Sequence, residues 1–487
     1  MKKKIVSIGL SALLIILISA CTKSPRELSM DEVQEFLQKI SDSPMGLMIQ
    51  ADNADIRSEL EKKGRYRIFL KNPNFSFNTK VYKHLNLPFP EFELPIEMEE
   101  LVFLYGPTKG YCEILSASGV NFSLDLKEIV QKLEIKEEKK KEIEQIPEIN
   151  LSFNYGNIAF ENYDLSPLLD TKSQSFIELL PQLLATNQPK SVSVDDINFE
   201  FNMVLAEGKY MMTSSLKNAK SLMTLAPESL TAFIKQEESG SVFSQLLEDG
   251  SSPLEIKYGL ENLEISLRMP KGNIEASLEN LDVAEYIKPT SEKDAFRFGF
   301  DLDIGGLNIT GLENKEVETF TDLIKMNLNF SIDGLSPDFF EGYIDIIKSA
   351  QSLSASKDPA QQQQMGMKGL ALLGSLMQSK PVISLSLSPF EHKLGKIEAE
   401  GKFHFNRMGP PVGKATVRMF NVEEIGQKLK EEQLFPPEEI DFVLAKIKEI
   451  FEIDQSGDGV LTFEIKEEDK ANFYLNGKPH SFGGAKK

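Results

Sequence analysis

The sequence predicts an α+β protein: long antiparallel β-meanders with helices packed on the sheet faces, in an elongated arrangement. Three patterns predict it. Apolar and polar residues alternate along many segments, as in Phe296, Phe298, Phe300, Leu302 and Ile304, which is the signature of strands with one apolar and one wet face. Strand-like segments repeatedly run through Asn, Asp or Gly into a short apolar-periodic segment, as at Tyr163-Asp164-Leu165 and Met419-Phe420-Asn421-Val422. Such side chains bond the free N–H groups of a starting helix. A few longer stretches carry helical spacing throughout, as in Ile440, Val443, Leu444, Ile447 and Ile450.

The chain opens with Lys2, Lys3 and Lys4, then an apolar stretch from Ile5 to Ile18, then small Ser19 and Ala20 before Cys21. This is the layout of a secretory signal over residues 1–20, and the stretch is shorter than the ~20 residues that span a bilayer. Ile18-Ser19-Ala20-Cys21 resembles a bacterial lipobox. That resemblance implies cleavage before Cys21 and a diacylglycerol thioether on its sulfur; the alternative is an ordinary signal with a chance cysteine. Two or three acyl chains make a stable anchor where one does not. Thr22 follows the cysteine, which by resemblance to enterobacterial sorting favours the periplasmic face of the outer membrane over the inner membrane.

Residues 21–63 read as a polar tether and a helix carrying Val33, Phe36, Leu37 and Ile40. From about Gly64 the period changes to two, giving a first β-rich region over 64–235 and a second, with long helices, over 236–378. The first region includes Ile197, Phe199, Phe201 and Met203; the second includes Leu254 to Leu260 and Leu263 to Met269. The junction pattern predicts helices after Leu124-Asp125-Leu126, Tyr163-Asp164-Leu165, Leu216-Lys217-Asn218-Ala219, Leu278-Glu279-Asn280-Leu281, Ile332-Asp333-Gly334-Leu335 and Met419-Phe420-Asn421-Val422. Its spacing is irregular, so it is an array of related units or a recurrence of common turn chemistry. Leu225 to Leu247, Asp338 to Lys380 and Pro436 to Phe451 read as helical. Gln361 to Gln364 suggest a loop inside the second of these. Ile135 to Ile146 reads as a solvated charged turn or linker.

The C-terminal region, 379–487, contains Ser379-Lys380-Pro381-Val382-Ile383-Ser384-Leu385, then Gly395-Lys396-Ile397-Glu398-Ala399-Glu400-Gly401, and ends in Ala471-Asn472-Phe473-Tyr474-Leu475-Asn476-Gly477-Lys478-Pro479. These stretches resemble the YdgA-type bacterial envelope proteins, a family of unknown function. The resemblance covers the C-terminal third and implies a helix, then a strand opening on Pro-Val-Ile, then a second strand. It carries no catalytic residues, and the lipobox departs from that family's uncleaved anchor.

Composition narrows the function classes. With 54 Lys+Arg against 74 Asp+Glu the net charge is −20, which repels a polyanion and excludes nucleic acid as a partner class. Two Cys and four His do not furnish zinc fingers or disulfide frameworks. Cys112 reads as a buried strand thiol. His392 and His404 lie in adjacent expected strands and could meet across a hairpin, which is too few ligands for zinc; His84 and His480 read as loop residues. The sequence has no Gly-x-Ser-x-Gly, His-Glu-x-x-His or P-loop.

The one chemical motif is Asp454-Gln455-Ser456-Gly457-Asp458-Gly459-Val460. It resembles the start of an EF-hand loop, with Asp454, Ser456, Asp458 and the Val460 carbonyl as calcium ligands. Ile465 stands where the bidentate Glu belongs, so the segment reads as a weak calcium loop or as a Gly-rich turn opening a hairpin. No other cofactor is expected. The expected function is that of a non-enzymatic, lipid-anchored envelope protein, tethered to the membrane through Cys21. Its apolar sheet faces would hold lipid or another apolar chain in a groove. The alternative is an envelope scaffold binding other proteins, with apolar faces that serve only as core.

Overall fold

The computed structural model describes residues 28–42, 47–50, 55–62, 64–78, 93–107, 110–125, 127, 148–169, 183, 188–205, 208–226, 240–270, 272–291, 294–312, 321–340, 342–343, 345–346, 359–406, 410–433 and 435–481. Cys21, His84 and the charged stretch Ile135 to Ile146 lie outside them. The chain is mostly antiparallel sheet with a minority of helix. It divides into two compact units, Met1–Val120 with Asp164–Phe176, and Asn121–Tyr163 with Ile177–Lys487.

The first unit opens with helix α1 (Met30–Ser41). Ser29 caps it: its hydroxyl accepts from the Glu32 N–H and the Glu32 carboxylate accepts from the Ser29 N–H, a reciprocal capping box. Val33, Phe36, Leu37 and Ile40, the residues with helical spacing, are all buried. Strand structure begins before Gly64, with β1 (Leu47–Gln50) and β2 (Asp55–Lys62), followed by β3 (Arg65–Lys71), β4 (Asn74–Asn78), β5 (Glu93–Ile96), β6 (Glu100–Gly106) and β7 (Tyr111–Asp125). They form a β1–β4–β5 sheet and a β2–β3–β6–β7 ladder. Phe36 of α1 meets Phe103 and Tyr105 of β6, with ring centroids 5.5 and 4.3 Å away, so α1 buries its stripe on this ladder.

The second unit holds β8 (Glu148–Asp164), β9 (Lys190–Leu205), β10 (Gly208–Leu225), β11 (Leu254–Met269), β12 (Gly272–Pro289), β13 (Phe296–Thr310), β14 (Leu323–Leu335), β15 (Val382–His392), β16 (Gly395–His404) and β17 (Val412–Met419). Each pairs antiparallel with the next. β19 (Gly459–Lys466) then pairs with β17, short β18 (Glu452–Ile453) pairs with β19, and β20 (Asp469–Leu475) and β21 (Lys478–Ser481) complete the meander.

The Asn/Asp junctions divide into two kinds. Asp125 accepts from the Lys127 N–H at 2.9 Å, and Asp164 accepts from the Ser166 N–H at 2.8 Å ahead of α2 (Ser166–Leu169). Leu335 is followed by a helical turn at residues 337–340, and Asn421 precedes α5 (Val422–Glu431). The other two junctions are corrections: β10 runs on through Asn218 and β12 through Asn280, both without a helix. Asn218 takes φ 53° beside a register shift, so it builds a bulge instead of a cap. Asn262 in β11 also takes φ 53°, and there the apolar residues change from the Leu254–Leu260 parity to the Leu263–Met269 parity within one strand. Asn tolerates this left-handed conformation better than most residues.

The other helices correct the expected boundaries. Within the expected helix Leu225 to Leu247, Leu225 instead ends a strand, and α3 runs over Gly240–Asp249. The glutamines from Gln361 to Gln364 lie inside α4 (Pro359–Gln378), so they do not form a loop. Unbranched Gln costs little in a helix. α6 (Pro437–Ile450) buries only part of its expected stripe: Ile440 and Leu444 pack against Val422 of α5 with Ile447 partly buried, while Val443 and Ile450 are exposed. α3 packs at the ends of the strands: Phe243, Leu246 and Leu247 cluster with Phe296, the first residue of β13, and Leu335, the last of β14.

Candidate functional site

The hydrogen-bonded register sorts β11–β19 into two unlike faces. One row across the strands reads Ile287, Phe298, Ile332, Ile383, Phe403, Gly413, Ile465. The next rows on that face contain Phe300, Phe330, Leu385 and Phe463, then Tyr258, Val283, Leu302, Leu328, Leu387 and Leu461. This apolar face is not uniformly buried. Phe296 is fully enclosed by the α3 cluster, Phe298 is only partly buried against it, and Tyr258 and Leu385 are 52% and 44% exposed. Phe296, Phe298 and Phe300 therefore share a face, as their spacing predicts, but not one environment.

The opposite face is polar and holds two concavities. One, about 610 Å³, includes Tyr286, Asp301, Ser331, Ser384, Glu400, Lys402 and Lys414 in its lining, with Phe330 and Leu385 also bordering it. The other, about 690 Å³, includes Asn198, Glu200, Thr213, Ser215, Glu264, Ser266, Arg268 and Glu275 among its lining. The Tyr286 ring lies over Gly299: a Cβ at that glycine would sit 2.1 Å from the ring, so Gly299 is what admits the aromatic floor. Lys257 and Lys288 hold Glu255 at 2.9 and 3.1 Å, and Arg297 pairs with Asp333. The Lys257 and Lys288 contacts draw the Glu255 carboxyl below its usual range, whereas burial pushes the Asp301 carboxyl up against the opposing pull of Lys288 and Lys257.

The acidic loop 454–458 closes the β18–β19 hairpin. The Asp454 Oδ1 accepts from the Ser456 N–H at 2.8 Å, from the Ser456 hydroxyl and from the Asp458 N–H at 3.1 Å. These bonds, the Ser456 hydroxyl first, lower its carboxyl pKa. Asp458 is buried, and its Oδ1 accepts from the Asn421 N–H at 3.0 Å. Gly457 takes φ +85°, which a side chain would oppose. Val460 lies in the ladder, paired with Arg418 and Glu452. One oxygen of each aspartate is thus in use as an acceptor, Asp454 Oδ1 for the turn and Asp458 Oδ1 for Asn421, and the Ser456 hydroxyl donates to Asp454. Added calcium at ~10⁻³ M, the weak end of natural sites, is expected to give no saturable heat in calorimetry. Asp454→Ala is expected to speed hydrogen exchange at the Ser456 and Asp458 amides. Saturable heat that Asp458→Ala abolishes would establish calcium instead.

The remaining candidates separate. His392 pairs in register with Gly395 and His404 with Val382, so they stand at opposite ends of the β15–β16 hairpin and do not face each other. His480 is in β21, stacked on Phe473. Cys112 is fully buried in β7, and burial, with Asp164 and Glu113 nearby, pushes its thiol pKa well up. That suppresses thiolate chemistry. Among the described residues no cluster of His, Cys, Asp or Glu is arranged to hold a metal, and no helix is long and apolar enough to cross a membrane. No family model, curated protein or solved structure matches the chain.

Proposed function

We propose that this protein is a non-enzymatic, lipid-anchored protein of the cell envelope, held to the membrane through Cys21, whose apolar sheet face carries lipid or another apolar chain. The observation that supports the reading is the exposure of Leu385 within the apolar face and of Tyr258 at its β11 edge. Exposed large side chains within a contiguous apolar surface mark a site of interaction more often than a core does. On this reading the helices cover the face only in part, as α3 does at the β13–β14 end, and the acyl chain covers the rest. Resemblance of the C-terminal third to YdgA-type envelope proteins supports an envelope location, and Thr22 after the lipobox-like motif favours the periplasmic face of the outer membrane.

Native mass spectrometry of the full chain, extracted in mild non-ionic detergent, tests it. A bound phospholipid mass is expected, with lower occupancy in Leu385→Asp. That substitution sits at an exposed position and leaves the fold intact, which circular dichroism checks. A ligand-free mass in both proteins would instead favour an envelope scaffold that binds other proteins.

A further inference from the structure

The polar concavity of the β13–β17 region contains an arrangement that sheet energetics alone disfavours. Lys402 of β16 and Lys414 of β17 are direct cross-strand partners, and both line the concavity. Residues directly opposite in an antiparallel pair have Cβ atoms ~5 Å apart, and like charges there destabilise the sheet. Another like-charge pair in this sheet, Lys288 opposite Arg297, has acids to relieve it: Lys288 holds Glu255 with Lys257, and Arg297 holds Asp333. Neither Lys402 nor Lys414 has an ion pair among the described residues. Glu464, the partner of Lys414 on β19, leans 4.0 Å from Lys466.

The surroundings supply the rest of a site. Ser384 is the cross-strand partner of Lys402 on its other side, and Ser331 is the partner of Ser384. Both hydroxyls line the same concavity, and neither makes a side-chain hydrogen bond among the described residues. Two free hydroxyls and two ammonium groups follow one another along one row, which Glu464 ends on β19. Of the acids of the concavity, Asp301 lies away on β13, while Glu400 is two residues along β16 from Lys402, in the next row. We propose that the Lys402–Lys414 pair binds the phosphate group of a phosphorylated ligand, with Ser384, the neighbour of Lys402, donating to its oxygens. Lysine serves this role as a point charge, and an anion between the two ammonium groups turns their repulsion into attraction. Leu385 and Phe330 also border this concavity, but the proposed contacts are made by Lys402, Lys414 and Ser384, so loss of lipid binding in Leu385→Asp and loss of phosphate binding in Lys414→Gln are separate readouts.

Isothermal titration of the full chain in non-ionic detergent at low ionic strength tests the site, with inorganic phosphate, glycerol 3-phosphate and a short-chain phosphatidic acid as probes. Saturable binding is expected, weakened about tenfold in Lys414→Gln by loss of one charged contact. Without any anion, Lys414→Gln is expected to melt at or above the wild-type temperature, because it relieves the repulsion; this also shows that the variant is folded. Comparable affinity for all three probes assigns a soluble phosphate ester, and binding of the acylated probe alone, still lysine-dependent, assigns a lipid headgroup. No heat with any probe, or equal affinity in wild type and Lys414→Gln, would overturn the proposal and leave two solvated lysines.

Discussion

Phe296→Ala is expected to cost about 3–5 kcal/mol of stability, the range for emptying a fully buried phenylalanine site. Phe296 has no exposed surface, and its ring sits 6.1 Å from Phe243 and 5.4 Å from Phe340, centroid to centroid. These contacts join β13 to α3 and to the helical turn after β14, so the cavity would open where three segments meet and none can collapse alone. Phe298→Ala, two residues along the same face, is expected to cost less, because that ring is only partly buried. Urea unfolding followed by circular dichroism measures both, with the second unit's midpoint as readout. Equal losses would return Phe298 to ordinary core and weaken the case for an apolar binding face.

Cys21→Ser is expected to release the protein from the membrane altogether. Acylation of one cysteine is the anchor implied by the lipobox-like Ile18-Ser19-Ala20-Cys21, and two or three chains give binding that detergent-free washing does not reverse. Fractionation of cells that express the variant is the measurement. Wild-type levels of Cys21→Ser in the membrane fraction would place the attachment elsewhere in the chain.

Much of the fold is legible in the residues because it rests on local periodicity. The α1 stripe and the Ser29–Glu32 capping box are both within four residues of their partners in sequence, and the alternation of Phe296, Phe298 and Phe300 fixes their shared face. What misleads is chemistry that serves two geometries. Asn421, Asn218 and Asn262 all take positive φ, at 49°, 53° and 53°, yet Asn421 stands before a helix, without a side-chain cap bond to it, and the other two sit inside strands. An amide side chain next to a bend satisfies either geometry, and only the neighbouring strand decides. Lys402 and Lys414 escape any linear reading for a different reason. They become neighbours only when the β16–β17 register is known. The same register separates His392 from His404, which their spacing of twelve residues seemed to bring together.

The parity change at Asn262 also governs how this sequence can vary in length. In β11 the apolar side chains before Asn262 and those after it are out of phase with each other, and every one of them is matched by a residue of β12. Losing a single residue between Leu254 and Leu260 would turn the remaining apolar side chains on that side of Asn262 to the polar face while leaving Leu263 to Met269 in place, because the side-chain period of a strand is two. Losing two residues would restore the phase. Length variation in these long hairpins is therefore tolerated in pairs of residues, or at the turns, where no ladder has to be kept.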